Sequence, residues 1–406
     1  MAEYLTNTTD LTSVADAIRA KSGQTGQLIY PDGFASAVAG IKKAPTTPYM
    51  EAEYIVEETT YAGTNHYIDR AKLYNHKAIY AYEFAFQHRL NSLDFSDASN
   101  NITVIESAAF QNSNMDGLVL PSTISVLNRV CFNGAYISTL VVPPLVTVLP
   151  ESAFSYIQQA YNYETGELLP INIILPQNLT KIENYCFEGA NITQITIPDT
   201  VTEIGEGAFN YCYQLASVIL PSSLQKISDH MLTNCQSLTS LTIPAAVTAI
   251  GVEAFTRSGL TNITIPSTVT TLGPGAFSYC ESLTSMDIQA AVTAIPNEFA
   301  IECPLTSLTL PNTLQTIGTA AFFRDKGFQV TELTIPASVT SIGDYAFSGN
   351  VTKQMTLTVL PTTPPTLGSN VFFLDTMSVI KVPAASVAAY KAATNWSNYA
   401  DYIVGV

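Results

Sequence analysis

The sequence predicts a repeat solenoid, in which short parallel strands alternate with turns or short 3-10 connections, preceded by a small helical module. Three observations carry this. A proline recurs at positions 121, 143, 176, 198, 221, 244, 266, 311, 336, 361 and 383, with Gln289 in the remaining slot, at spacings of 22 to 25 residues apart from one interval of 33. Eleven residues after most of these prolines stands an aromatic: Phe132, Phe154, Phe187, Phe209, Phe255, Phe277, Phe322, Phe347 and Phe372. Met231-Leu232 substitutes in one repeat and Phe299 sits one residue early in another. Finally, only 12% of the residues are charged, against roughly 25% in typical soluble domains. Thr, Ser and Asn must therefore cover most of the surface. Self-similarity at a period of about 20–29 residues marks stacked units that bury one shared core.

Residues 1–44 differ in kind from the rest. Asp10 can cap a short helix whose Leu11, Val14, Ala15 and Ile18 fall at i, i+3, i+4 and i+7. A Gly-rich turn and a short strand lead to Pro31-Asp32-Gly33, which opens a second small apolar helix at Phe34. Residues 45–78 read as a linker and an atypical N-terminal cap, with Ile79–Phe84 and Ser96–Phe110 as looser leading copies of the repeat. The array proper spans 79–383. Within L-x-x-L-x-I-P, as at Leu238, Leu241, Ile243 and Pro244, the last apolar residues alternate as in a half-buried strand, and proline, which cannot donate to a ladder, ends it. V-x-x-I-x-x-x-A-F then sends Val, Ile and Phe into the core from a turn or short 3-10 segment on the opposite wall. Residues 384–406 are expected to cap the last repeat, with Val387, Tyr390 and Trp396 closing its open core.

The phrase L-x-x-[LI]-x-[IL]-P-x-x-[VL]-x-x-I-x-x-x-A-F resembles the BspA-type (Treponema pallidum-type) leucine-rich repeat over about three quarters of the chain. The resemblance implies a bacterial or protozoan surface protein engaged in adhesion, and it brings no fixed ligand residues. The phrase DLTSVADAIRAKSGQTGQLIYPDGFASAVAGI resembles a small module at the ends of structural and tail-associated proteins of phages infecting Gram-positive gut bacteria. That second resemblance implies attachment to other virion proteins through 1–44, with Leu11, Val14, Ile18 and Phe34 as the docking side chains.

Charge and composition exclude several classes. With 17 basic against 33 acidic side chains, the net charge is −16, which argues against nucleic acid or an anionic membrane surface. No apolar run is long enough for a transmembrane helix, and MAEYLTNTTD carries no secretory signal pattern. The four histidines, 66, 76, 88 and 230, show no metal-ligand spacing, and His66 and His76 are expected to be solvent-exposed. Gly205-Glu206-Gly207 and Gly273-Pro274-Gly275 lack the third glycine of a dinucleotide loop and read as turns. The six cysteines follow the repeat register: Cys212, Cys235 and Cys280 lie three residues after the Phe or Leu position, Cys303 four after Phe299, and Cys131 and Cys186 just before Phe. They are expected to be buried thiols. No catalytic, cofactor or metal site is expected.

Two features suggest binding surfaces. The insertion at 155–172 carries Tyr156, Tyr161 and Tyr163, rigid amphipathic side chains suited to recognition. Two residues before each proline the side chain should face outward; there Val119, Val141 and Ile174 form an aliphatic row, expected to be covered by another chain or by the Tyr loop. The functional expectation is a non-enzymatic phage virion protein, on the head or tail surface, that binds a host cell-surface protein or glycan through the array. A homo-oligomer is expected, a trimer being the preferred symmetry. The alternatives are a head-decoration or baseplate component and a bacterial cell-surface adhesin.

Overall fold

The structure, a computed structural model, describes residues 53–60, 66–74, 76–87, 90, 92–97, 100–114, 118–162, 167–325, 329–349, 355–372 and 377–406. The module at 1–44, with Leu11, Val14, Ile18 and Phe34, lies outside them, as does Tyr163. The chain divides into two compact units, Met1–Asn178 and Leu179–Val406. Both are parallel β-solenoids.

In the first unit, strands Glu53–Thr60 and His66–Tyr74 form an antiparallel hairpin whose second strand pairs in parallel with Ser92–Asp94. His76 is fully buried, contrary to the exposed role expected of it. It braces the first coil: the ring contacts Glu83 Oε1 at 2.9 Å and the Tyr74 carbonyl at 3.1 Å, and its backbone N–H donates to Asn100 Oδ1. Parallel ladders follow, Ala78–Ile79 with Val104–Ile105 and Val126–Leu127, then Thr139–Val141 with Asn172–Ile174.

The second unit makes the construction plain, because each coil contributes three runs. The run before the proline forms ladders such as Asn262–Ile265, Ser285–Ile288 and Ser307–Thr309. Its alternation is visible in Ile263 and Ile265 buried and Thr264 exposed. Residues 238–244 repeat the motif but form no strand; there the Thr261 N–H and hydroxyl both donate to the Thr239 carbonyl, at 3.1 and 3.2 Å.

The second run refines the expectation of a turn or short 3-10 segment. The x-I pair forms two-residue parallel strands, as in Ala294–Ile295, Thr316–Ile317, Ser341–Ile342 and Thr366–Leu367. Coils approach so closely after this strand that a Cβ on Gly273 would lie 2.4 Å from the Gly251 carbonyl carbon and the Val252 nitrogen.

The third run is the turn carrying Ala-Phe. Its alternate N–H groups donate to the next coil, from Tyr185, Phe187 and Gly189 to the carbonyls of Glu206, Ala208 and Asn210 at 2.7–2.8 Å. This requires left-handed backbone two residues before and two after the Phe position, and residues at both places have positive φ coil after coil.

Inside, the Phe rings stack. Phe84, Phe110, Phe132 and Phe154 lie 5.2–5.6 Å apart and within 14° of parallel in the first unit. In the second, Phe322, Phe347 and Phe372 continue at 5.4–5.7 Å. Phe299 is not early: Phe277 N–H donates to Phe299 O and Ala300 N–H to Ala321 O, so Phe299 fills the Ala slot and Ala300 the Phe slot. From there its ring meets Phe277 and Phe322 at 76° and 84°, edge to face. Cys303 thereby sits three residues after its slot, like the other three. All six cysteines are buried free thiols, and those at 212, 235, 280 and 303 donate to the carbonyl at the preceding coil's Phe slot. Burial pushes the Cys131 and Cys212 thiols well up from the ordinary range.

At the C-terminal end, helix Val387–Ala392 and 3-10 segment Trp396–Tyr402 lead into strand Ile403–Gly405, which pairs with Met377–Val382. Tyr390 and Trp396 are fully buried, and their OH and Nε1–H donate at 2.8 Å to the carbonyls of Pro361 and Pro365. Val387 is half-buried. No described helix is long and apolar enough to cross a membrane.

Candidate ligand-binding groove

The expected insertion site is only partly described. Tyr156 is 48% exposed at φ 55°. Tyr161–Asn162 pairs antiparallel with Glu167–Leu168, making the insertion a small hairpin. Val119, Val141 and Ile174 do face outward, and they are 79%, 55% and 46% exposed. The strand alternation aims Val141 and Ile174 away from the core, and residues 163–166 of the loop expected over the row lie outside the described residues.

A concave site emerges elsewhere, on the turn wall of the second unit between Tyr185 and Glu298. It is an open groove of about 690 Å³ lined by aromatic, amide, hydroxyl and charged side chains, within the usual ligand-site range of ~300–1,000 Å³. The turn geometry builds it. Two residues after successive Phe slots stand Tyr211, Asn234, Arg257 and Tyr279, each at φ 57–61°. The backbone there suits glycine, and Gly134 and Gly189 occupy the equivalent place in other coils. Four consecutive large side chains in left-handed backbone carry a cost of order 1–3 kcal/mol each, and all four line this groove.

Neighbouring slots complete it. Gly207, at φ +57°, leaves room for the Tyr185 ring, which a Cβ would meet at 2.5 Å. Tyr185 OH in turn donates to Glu206 Oε1 at 2.7 Å. His230 Nδ1 lies 3.6 Å from Glu253 Oε2. The Arg257 guanidinium sits 5.2 Å from the Tyr279 ring centre, a cation–π arrangement. Tyr211 and Tyr213 meet at 6.0 Å and 53°. Beneath them the hydroxyls of Thr233, Thr256 and Ser278 donate to the carbonyls of Glu253, Gly275 and Glu298, holding the wall rigid. Asn210 Oδ1 is enclosed with no hydrogen-bond partner. Among the described residues no cluster of three or more His, Cys, Asp or Glu could hold a metal ion.

Nothing in the motif points to these side chains, because the position two residues after the Phe slot faces outward and the motif assigns it no residue type. The signal that could have found them is the sequence aligned on that slot, where F-N-Y at 209–211, F-T-R at 255–257 and F-S-Y at 277–279 recur.

A family profile described as a BspA type leucine-rich repeat region matches residues 77–170, 163–284, 202–329 and 293–393. Among solved structures, the chain is similar to a leucine-rich repeat protein from Bacteroides ovatus, with 19% identity, 86% of this chain and 98% of that chain covered, and a TM-score of 0.47. It is also similar to a leucine-rich cell surface protein from Faecalibacterium prausnitzii, with 20% identity, 70% and 82% covered, and a TM-score of 0.39. A third is the T. pallidum leucine-rich repeat protein, with 24% identity, 43% and 87% covered, and a TM-score of 0.36. Comparison with curated protein sequences finds no relative.

Proposed function

Because the chain belongs to the BspA-type leucine-rich repeat family, we propose that it is a non-enzymatic, adhesin-like surface protein that recognises a cell-surface ligand through its repeat array. The matched family is a repeat scaffold, and no catalytic family is indicated. The observation that carries the reading is the groove between Tyr185 and Glu298, where the exposed rings of Tyr211, Tyr213 and Tyr279 stand over hydroxyls bonded to the next coil. Solenoids recognise ligands through such side-chain arrays on a fixed frame, and presentation as a homo-oligomer, with a trimer the preferred symmetry, would strengthen weak contacts by avidity.

The test is adhesion of the labelled full chain to cultured epithelial cells and to extracellular-matrix coats. Saturable binding that falls at least tenfold in Tyr211→Ala/Tyr279→Ala supports the reading. Binding that survives this variant and is lost in Tyr156→Ala/Tyr161→Ala moves recognition to the insertion. No binding to either surface overturns adhesion.

A second reading, attachment to a virion, rests on LTSVADAIRAK and LIYPDGF within residues 1–44. Gold-antibody labelling of particles from the producing strain decides it: gold at the tail tip supports host recognition, gold on the capsid supports decoration, and bare particles remove the reading.

A further inference from the structure

We infer that the groove between Tyr185 and Glu298 binds an uncharged oligosaccharide, an assignment of ligand class that rests on the adhesion reading above.

Three carboxylates line the groove, Glu206, Glu253 and Glu298, on a chain whose net charge is −16. A sulfated, sialylated or phosphorylated ligand would meet like charge. A lysine- or arginine-rich peptide fares no better. Glu206 already accepts from Tyr185, and Glu253 already faces His230. The Arg257 guanidinium, held against Tyr279, stands among them. With two of the three acids facing partners and a guanidinium against Tyr279, the groove favours a polar ligand without net charge.

Tyr211, Tyr213 and Tyr279 are 40%, 47% and 40% exposed, so each presents ring surface to the groove, that of Tyr279 beside the Arg257 guanidinium. A pyranose offers the complementary surface: an apolar C–H face that stacks on an aromatic ring, edged by hydroxyls that both donate and accept. Asn234, Gln236, the carboxylates and the phenol hydroxyls face those edges. A purely apolar ligand would strand these groups; a saccharide pairs with them.

Tyr211 and Tyr279 stand three coils apart, which is about 14 Å at the ~4.8 Å spacing of paired strands. Stacking on both rings therefore calls for a linear chain of several sugar units rather than a monosaccharide. The hydroxyl-to-carbonyl bonds of Thr233, Thr256 and Ser278 fix the floor beneath the rings, so no freedom is lost there on binding.

The test is a microarray displaying neutral, sialylated and sulfated oligosaccharides together with an immobilised oligolysine peptide, probed with the full chain and followed by titration of the best neutral hit. The expected result is selective retention on neutral oligosaccharides. Affinity should fall at least tenfold in Tyr211→Ala and in Tyr279→Ala, be largely kept in Tyr279→Phe, and be unchanged in Tyr136→Ala on the other unit. Preference for the anionic glycans or for oligolysine, retention on no glycan, or neutral binding indifferent to Tyr211 and Tyr279 would overturn the inference. Cell adhesion lost in Tyr211→Ala/Tyr279→Ala but accompanied by no neutral-glycan binding would remove the saccharide alone and leave the adhesion reading standing.

Discussion

Phe299 and Ala300 show how much the core tolerates at the scale of single residues. Exchanging the order of the two buried side chains keeps the volume, since Phe299 and Ala300 are both buried, and turns stacked rings into edge-to-face pairs, a geometry that aromatics favour equally well. Removing the ring is a different matter. Phe299→Ala should cost about 3–5 kcal/mol of unfolding free energy, the range for emptying a buried aromatic site, measured by urea denaturation; a loss below about 1 kcal/mol would mean the coil collapses to fill the space. Single residues also set what the sequence concealed. Phe110 or Cys212 can be placed from the period alone because the core repeats every coil. Tyr211, Arg257 and Tyr279 cannot, because the slot they fill is solvent-facing and the average repeat assigns it no side chain.

The individual run of backbone is the element here, and its length governs legibility. The strand before the proline was readable from Ile-x-Ile alternation and from proline's missing donor. The two-residue x-I strands were not, since two residues carry no period, and the spacing alone predicts only a turn or short 3-10 segment there. Their hallmark is instead the glycine that follows. A Cβ at Gly273 meets backbone atoms of the preceding coil at 2.4 Å, and backbone cannot rotate away as a side chain can. Gly273→Ala should therefore cost about 1–3 kcal/mol, the usual range for overpacking, visible as a lower thermal midpoint. An unchanged midpoint would show that neighbouring coils part more easily than their hydrogen bonds imply. The insertion hairpin was legible as an interruption of the period, but its antiparallel pairing was not.

At the scale of the molecule, each unit is a stack in which a coil touches only its neighbours, so local defects stay local and surfaces can change coil by coil without disturbing the core. That separation explains why a regular interior coexists with an irregular outer wall, and why the repeat announces the fold while remaining silent about the ligand. The outward aliphatic row at Val119, Val141 and Ile174 remains a rival surface within the first unit. Hydroxyl-radical footprinting of the full chain bound to epithelial cells distinguishes the two directly. If recognition runs through the groove, Tyr211, Tyr213 and Tyr279 lose reactivity on binding while Tyr136, Val119 and Val141 keep theirs; protection of the aliphatic row with the three tyrosines still reactive would contradict it.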